Sequence, residues 1–569
     1  MKRDLPSDAT AIQHEDMSQL PDSFTLGSPR FSGAAATAAA PAQAWQTLLA
    51  QQGAAAAAAQ VGGDFAVSLK MVDGSTYLAV DRFAVQTLCY TVQGQQIHCA
   101  ERADQLAGPN AELEPQALFD YLYFHVIPSP RTVFKGVHRL TAGRYGEFRD
   151  GQLLVAPYVT PTFTAPKKPK FADLRAEFRQ LLRTAVQRQL DGSKPACFLS
   201  GGTDSSTVTG MVRDVAGSVS TYSIGFEAEG YDEMEYARLV ARHFGADHHE
   251  YYVTPDDLVK SIGAVAASYD QPFGNSSALP AFYCAQHAQQ DGVTRILAGD
   301  GGDELFGGNS RYAMQEVFGW YQHVPSALRR GVLEPFFGIP LVGRVPLLKK
   351  GSGYIRQANT PLPERLQAFN LVRRLGYQNV LEPGFLAQIN TAQVSQEQSS
   401  VWAESRSAHE VDRHLAYDWR YTLAESDLPK VRGTAALAGL GVGFPMLDDD
   451  LLAFSMRLPP QYKLNRLRLR WFFKEALRGF LPDEVLTKKK QGFGLPFGVW
   501  AMRHQGLKQL ASDSVRSFAT RGVVRPDFAE QLLGTHLPSH PHYYGTMVWI
   551  LMMAEQWLRV HKPDYKLQA

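Results

Sequence analysis

The stretch "LSGGTDSS" (residues 199–206) packs two glycines, an acid and several hydroxyl groups into one turn. The apolar run "ACFL" (196–199) before it predicts a buried strand, and "TVTGMVRDV" (207–215) after it predicts a helix. Glycines let backbone N–H groups approach an anion closely, and the start of a helix adds further donors and a favourable dipole. A Walker loop needs a lysine, and GxxxxGK[ST] is absent from the chain. The turn therefore predicts a phosphate-binding loop of another kind.

A second acidic glycine turn, "RILAGDGGDELFGG" (295–308), follows another short apolar run. Asp204 within an anion site would repel phosphate unless a cation bridged the two, and Mg²⁺ binds through one or two carboxylates plus phosphate oxygens. The second turn offers another carboxylate for the same ion. Either turn alone is commonly structural, because Ser and Asp cap helices and Gly permits tight turns. Two such turns at the strand ends of one alternating unit favour a nucleotide site.

The composition and the predicted secondary structure change along the chain. The alanine-rich residues 1–60 lack a hydrophobic face, which predicts a flexible extension. The sequence Gly63–Tyr158 predicts short strands of a mostly antiparallel β domain. After a Pro/Lys-rich linker, strand and helix patterns alternate, which indicates an α/β domain with a parallel sheet, and helical patterns dominate from about residue 310. The predicted segments are 1–60 (extension), 61–163 (β-rich domain), 164–171 (linker) and 172–569 (α/β domain with a helical C-terminal part).

Composition narrows the class of protein. A formal net charge of +1 over 569 residues does not favour nucleic-acid binding. The four cysteines form no CxxC pair, which favours reduced thiols, and the histidines show no metal-site spacing. The charged N-terminal stretch has no apolar signal-peptide region, and no run reaches the ~18 uncharged apolar residues of a membrane span. We therefore expect a cytoplasmic protein with neither membrane nor nucleic-acid partners.

With both turns in view, the chain resembles the asparagine synthetase family. "FLSGGTDSS" (198–206) is similar to the family's pyrophosphate loop, and "YSIGFEAEGYDEMEYARLVARHFGADHHE" (222–250) resembles the strand–helix–strand that follows it. "YDQPFGNSSALPAFY" (269–283) and "LAGDGGDELFGGNSRY" (297–312) look like its YDEPF-x-x-SSA and SGDGGDELFGGY segments. "LPDEVLTKKKQGFGLPFGVW" (481–500) resembles its C-terminal lysine segment.

The resemblance implies a degenerate nucleophile-aminohydrolase domain, similar to type 2 glutamine amidotransferases, followed by a PP-loop ATP pyrophosphatase domain. It also implies that a carboxylate attacks the α-phosphorus of ATP, releasing pyrophosphate, and that an amine then displaces AMP. ATP and Mg²⁺ are the implied cofactors, with Asp204 and Asp303 on Mg²⁺, Lys490 neutralising phosphate charge and Asp300 positioning the amine or acting as a base. The implied nucleotide contacts are Leu199, Ser200, Gly201, Gly202, Asp204, Ser205, Ser206, Ser223, Gly225 and Gly299.

The chain departs from the family in its N-terminal domain. Glutamine-dependent members carry a catalytic Cys directly after the initiator Met, whereas this sequence has Lys2, and their RLxI and NGEIYN signatures are missing. Cys89 and Cys99 fall inside the β domain, where core packing is the better interpretation. We therefore expect a domain that keeps the fold of a glutamine amidotransferase domain but has no glutaminase activity.

A second departure lies in "TAALAGLGVGFPMLDDD" (434–450), where Gly441 and Gly443 replace the Glu and Arg of the family's SMAxSLExRVPLLD. Loss of both charges predicts a larger or less polar acid than aspartate. The alternative is that the two positions are structural and that neighbouring side chains have repacked around them.

The leading hypothesis is ATP-dependent amide formation without glutamine hydrolysis, as in the β-lactam synthetases and lasso-peptide cyclases, with macrolactam closure of a peptide as one version. The substrates would be a small-molecule or peptide carboxylate and an amine, with a precursor peptide or processing protein as partner; a homo-oligomer is left open. The alternative is an asparagine synthase-type enzyme that uses ammonia, free or from a separate glutaminase. A third hypothesis is a non-catalytic scaffold subunit, which the intact turns disfavour.

Overall fold

The computed structural model describes residues 21, 23–166, 169–228, 230–339, 346–488 and 494–567. Its N-terminal part is built from antiparallel strands, as predicted. A five-stranded sheet has the order β1-β2-β3-β7-β8, and a three-stranded sheet has the order β5-β4-β6. The Asp150–Gly151 pair between β7 and β8 takes positive φ at both residues, which is the geometry of a tight hairpin turn. The strands are β1 Phe24–Gly27, β2 Phe65–Lys70, β3 Thr76–Val80, β4 Cys89–Gln93, β5 Gln96–Ala100, β6 His138–Arg139, β7 Arg144–Arg149 and β8 Gln152–Pro157.

The prediction of a flexible extension over residues 1–60 is wrong for residues 24–60. Strand β1 pairs with β2, and the helices Pro41–Gln52 and Ala54–Gln60 follow it. Trp45 is fully buried, with its ring centroid 5.1 Å from that of Phe65. Because alanine side chains are small, these helices can lie close to the sheet, where Trp45 and Leu48 anchor them. Residues 1–20 and 22 lie outside the described residues.

The second part contains a five-stranded parallel sheet of order β11-β10-β9-β12-β13, which confirms the α/β prediction. Its edge strand β13 was not predicted. The strands are β9 Ala196–Phe198, β10 Ser220–Phe226, β11 Asp247–Val253, β12 Arg295–Leu297 and β13 Gly441–Gly443. The helices of this α/β unit are Phe171–Gln189, Thr203–Ala216, Met234–Phe244, Pro255–Ser268 and Ala278–Gln290.

The described residues after Phe306 are mostly helical, apart from β13 and a hairpin of β14 (Leu464–Asn465) and β15 (Arg468–Leu469). Among the described residues, no helix combines the length and apolar character needed to cross a membrane. The longer helices are Ser310–Gln322, Pro346–Asn359, Gln393–Glu404, Glu410–Asp418, Leu428–Leu437, Asp449–Arg457, Phe497–Arg503, Gln505–Ala519 and Pro541–His561. Shorter helices across both parts are Ala103–Leu106, Pro115–Phe124, Gly302–Phe306, Ser326–Leu328, Glu334–Gly338, Leu371–Leu375, Tyr377–Val380, Pro383–Leu386, Pro460–Lys463, Trp471–Ala476, Asp483–Thr487, Pro526–Gln531 and Leu537–Ser539.

Charged contacts join the two parts. The Arg432 guanidinium donates to the Val85 carbonyl and the Thr87 hydroxyl, both at 3.1 Å, and it also pairs with Glu101. Arg82 forms a 2.7 Å ion pair with Asp449. The N-terminal part is therefore fixed against the helical region that carries one side of the candidate site.

Candidate active site

The site lies where the order of the parallel strands reverses. From β9 the sheet continues to β10 and β11 on one side and to β12 and β13 on the other. Loops at the carboxyl ends of strands beside such a reversal leave a crevice for ligands. The turn after β9 is the "LSGGTDSS" stretch and the turn after β12 is the "GDGGDE" stretch, so the two predicted turns lie side by side at this point.

Hydrogen bonds within the first turn hold its hydroxyl groups together. The Ser200 N–H donates to Oγ of Ser205 at 3.2 Å, and the Gly202 N–H donates to Oγ of Ser200 at 3.3 Å. The two serine Oγ atoms are 3.1 Å apart. This cluster of N–H and O–H donors opens the helix Thr203–Ala216, so it is arranged to receive an anion.

Two glycines let the backbone of the second turn lie in direct contact with the first turn. A Cβ atom on Gly299 would lie 2.6 Å from the Ser205 nitrogen, and one on Gly302 would lie 2.2 Å from Oδ1 of Asp204. No larger residue fits either position unless its neighbours move. The sequence "GDGGDE" is therefore required by the contact between the turns as well as by its acids.

One guanidinium joins the acids of the two turns. Arg470 donates to Oδ1 of Asp204 at 2.6 Å and to Oδ2 of Asp204 at 2.5 Å, and it also pairs with Asp303. The Arg470 side chain is 6% exposed. Asp204 and Asp303 thus lie together on a single buried cation, although they come from different strand ends.

Asp300 belongs to a neighbouring ionic group. The Lys430 Nζ lies 3.5 Å from Oδ1 of Asp300 and 3.1 Å from Oδ1 of Asp427. Burial raises the pKa of Asp300, and Lys430 offsets only part of that effect. Burial would lower the pKa of Lys430, but Asp427 and Asp300 raise it overall. A π-helical stretch, Trp419–Asp427, leads into the helix that carries Lys430, which is an irregularity often found at functional sites.

The ionic group around Arg470 and the one around Lys430 both line a cleft of 680 Å³. One wall is apolar, and four of its side chains, Phe198, Tyr222, Ile224 and Cys284, share one hydrophobic cluster. The volume is within the range of about 300–1,000 Å³ for small-molecule sites.

Most of the predicted site residues line this cleft. They are Leu199, Ser200, Gly202, Asp204, Ser205, Gly299, Asp300 and Asp303. Lys490, the predicted charge-neutralising residue, lies outside the described residues.

Four predicted contacts lie outside the cleft lining. A Cβ on Gly201 would lie 2.6 Å from the Ala237 nitrogen, so this glycine serves the packing of the turn against the next helix. Ser206 is fully buried within its helix. On β10, Tyr222 and Ile224 line the cleft, whereas Ser223 and Gly225 do not. Successive residues of a strand point to opposite faces, so the prediction selected the wrong face of β10.

Several charged residues of the cleft were not predicted as site residues, among them Arg470, Lys474 and Lys488. Lys474 follows Arg470 by one helical turn, and burial lowers its pKa, with Arg470 adding to the effect. The Lys488 Nζ lies 2.7 Å from Glu233 and 4.2 Å from the centroid of the Tyr236 ring. Lys488 belongs to the lysine segment from which the resemblance singled out Lys490 alone.

Gly441 and Gly443 occupy the edge strand β13 and are not part of the cleft lining. A Cβ on Gly443 would lie 2.6 Å from Oε1 of Gln189, which accepts a 2.7 Å hydrogen bond from Arg295. Neighbouring side chains therefore fill the space at Gly443. This geometry supports the repacking alternative at Gly443. The expectation of an acid larger or less polar than aspartate stays a prediction.

The fold is that of an α/β protein with a ligand crevice at the switch point of its parallel sheet. A family model described as asparagine synthase matches residues 177–559, and one described as a glutamine amidotransferase domain matches residues 43–159. The chain therefore belongs to the asparagine synthase family, and it is a ligase that forms C–N bonds. Use of ATP is consistent with this family.

Several curated proteins are similar over most of the chain. Asparagine synthetase [glutamine-hydrolyzing] 1 of Bacillus subtilis is 24% identical, with 84% of this chain and 75% of that protein covered. A putative asparagine synthetase [glutamine-hydrolyzing] of Mycobacterium tuberculosis is 27% identical over 89% of this chain and 79% of its own length. Amidase chyE of Penicillium rubens is 23% identical over 82% and 76%, respectively.

Proposed function

We propose that the chain is an ATP-dependent ligase that adenylates a carboxylate and transfers the acyl group to an amine, without hydrolysing glutamine itself. The observation that carries the proposal is the meeting of Asp204 and Asp303 at one cation, beneath a cleft lined by the donors of Ser200 and Ser205. This arrangement provides an anion site and a cation site side by side, as activation by a nucleotide requires.

In the proposed reaction a substrate carboxylate oxygen attacks the α-phosphorus of ATP, and the bond to the β-phosphate breaks with release of pyrophosphate. The amine then attacks the acyl carbon, and AMP and a proton leave. Ser200 and Ser205 would hold the pyrophosphate, and Lys474 and Lys488 would stabilise its charge. Asp300, whose pKa burial raises, would accept the proton of the amine beside Lys430.

Asp204 and Asp303 fit a magnesium site. They already share one cation, and among the described residues no group of three or more acidic, His or Cys side chains offers an all-protein metal site. Mg²⁺ commonly takes one or two carboxylates, with substrate phosphates and water completing its shell. When bound, the ion would neutralise phosphate charge.

The four cysteines support the absence of glutaminase chemistry. All four are buried, and burial raises the pKa of Cys89, Cys99 and Cys197 to about 12 and that of Cys284 still higher. A nucleophilic cysteine needs an accessible thiolate with a lowered pKa. None of these four side chains meets that requirement.

The reaction is tested by screening carboxylates, including linear peptides that carry a free amine, for ATP-dependent release of pyrophosphate with AMP as co-product. We expect turnover with at least one acid, and we expect the Asp204→Asn variant to lose it. A cyclic product that has lost one water would identify macrolactam closure. Failure of every acid to release pyrophosphate would favour the scaffold hypothesis instead. A peptide partner and a cytoplasmic location stay predictions.

The absence of glutaminase activity has its own test. The purified chain is incubated with glutamine, with and without ATP, and glutamate is measured. We expect no glutamate above the rate of a Cys89→Ser control. Release of glutamate by the chain alone would contradict the proposal.

The second candidate is synthesis of asparagine from aspartate with ammonia. Two observations favour it: several relatives carry the name asparagine synthetase, and Gln189 fills the space at Gly443, so this position offers no extra room for an acid larger than aspartate. Formation of asparagine from aspartate, ATP and ammonium would select this candidate over the first.

A further inference from the structure

Arg470 is held in an unusual backbone conformation between the two acidic turns. Its φ is 52°, in the left-handed region that a residue with a side chain rarely adopts, and it directly precedes the helix Trp471–Ala476. Its N–H donates to the Gly307 carbonyl at 3.2 Å. A Cβ atom on Gly308 would overlap the guanidinium, so Gly308 leaves the room that Arg470 occupies. The surrounding chain thus fixes this side chain in place.

The guanidinium occupies the position where the proposed metal would bind. It contacts both oxygens of Asp204 and Oδ1 of Asp303, and the two acidic side chains are only 18% and 16% exposed. Two carboxylates so close and so poorly hydrated need a cation between them. Without nucleotide, Arg470 supplies that cation.

Arg470 and a divalent ion therefore compete for the same oxygen lone pairs. A free ion would have to displace a bidentate guanidinium and leave it buried without an anion, which is costly. The phosphates of a nucleotide change this balance, because they offer ligands to the ion and an anion to the guanidinium at the same time.

We propose that Arg470 is a built-in counter-ion that keeps Mg²⁺ out of the nucleotide-free enzyme and makes metal loading depend on nucleotide. This inference rests on the proposed nucleotide site and adds to it a dependence of metal binding on the nucleotide. Arg470 is a positioning residue for Asp204 and Asp303, and the cleft then accepts the ion and the nucleotide together.

The test measures binding of Mn²⁺, as a probe for Mg²⁺, to the full chain without nucleotide, from the electron paramagnetic resonance signal of the free ion. We expect the Arg470→Gln variant to bind Mn²⁺ at least about tenfold more tightly than the wild type, a difference of ~1.4 kcal/mol. The matched control is Arg468→Gln, since Arg468 is an exposed arginine on β15, two residues away. We expect this control to bind Mn²⁺ as weakly as the wild type.

Two further variants test whether a change in Mn²⁺ affinity comes from the Arg470 charge and from the Asp204 carboxylate. Arg470→Lys retains the charge without the bidentate fork and is expected to fall between wild type and Arg470→Gln, which guards against a folding defect in one variant. Adding Asp204→Asn to Arg470→Gln is expected to abolish the gained binding. Equal Mn²⁺ affinity of wild type and Arg470→Gln would overturn the inference. Because this titration needs no carboxylate substrate, its failure is distinguishable from failure of the ligase reaction.

Discussion

Replacement of Gly302 by alanine tests the contact between the two turns. The new methyl group would lie 2.2 Å from Oδ1 of Asp204, whereas ordinary contacts begin at 3.4 Å. The carboxylate must therefore shift by about 1 Å and lose its geometry on Arg470, and misplacements of ~1 Å at a reacting site cost about 100-fold in rate. The cost in stability is about 1–3 kcal/mol, typical of overpacking.

The assay is calorimetric binding of Mg²⁺ with α,β-methylene-ATP, followed by pyrophosphate release with the best carboxylate of the screen. We expect Gly302→Ala to weaken binding by about tenfold or more and to reduce turnover by about 100-fold, while the protein remains folded. Gly319→Ala is the matched control, because nothing lies within 4 Å of a Cβ added to that helical glycine. Wild-type binding and turnover in Gly302→Ala would refute the argument that Asp204 must sit against this turn.

Three further predictions concern the fold. Trp45→Ala should lower the free energy of unfolding in urea by about 3–5 kcal/mol, since it empties a fully buried site; no change would mean that residues 24–60 are not part of the core. Gly443→Arg should lower the free energy of unfolding by about 1–3 kcal/mol, because Gln189 fills the space at this position. Gly441→Glu should leave it unchanged, because a Cβ there would meet nothing nearer than 3.6 Å. Equal melting temperatures of the two variants would contradict the repacking. Burial, helped by nearby arginines, lowers the pKa of His414 to about 3. Since the folded pKa lies below the ordinary value of about 6.5, stability is lost as the pH falls below 6.5, by roughly 3 kcal/mol at pH 4. In urea titrations at several pH values, the free energy of unfolding of His414→Gln should fall less between pH 6.5 and pH 4 than that of the wild type. An equal fall in both proteins would contradict this assignment.

The alternation of strands and helices and the two acidic turns could be predicted from the sequence. Strands β9 and β12 each end in a glycine-rich turn, and the carboxyl ends of parallel strands meet at one edge, so the convergence of Asp204 and Asp303 follows from the pattern. The distances between the turns do not follow from it. They depend on close contacts at Gly299 and Gly302 that only the folded chain reveals.

Other features could not be predicted from the sequence. In β10 the large side chains of Tyr222 and Ile224 alternate with Ser223 and Gly225, but both faces of a central parallel strand are buried, so this alternation does not indicate which face meets a ligand. Strand β13 has only three residues, Gly-Val-Gly, and comes from a distant part of the chain. Trp45 and Leu48 anchor the alanine-rich helices, and these two residues are too few to form a periodic pattern.

Arg470 could not be singled out either. It is one of three alternating arginines in "LNRLRLR" (464–470), and its partner Asp204 is 266 positions away. Nothing local distinguishes it from the exposed Arg468. The left-handed backbone and the room left by Gly308, which select it, exist only in the tertiary structure.

A crystal structure of the chain with Mg²⁺ and α,β-methylene-ATP would show whether Asp204 and Asp303 hold one ion beside the nucleotide. We expect phosphate oxygens on the Ser200–Ser205 turn and one Mg²⁺ at about 2.0–2.1 Å from oxygens of Asp204 and Asp303, with Arg470 released from both. Nucleotide bound elsewhere, or phosphates in this cleft with the ion away from both aspartates, would contradict this expectation.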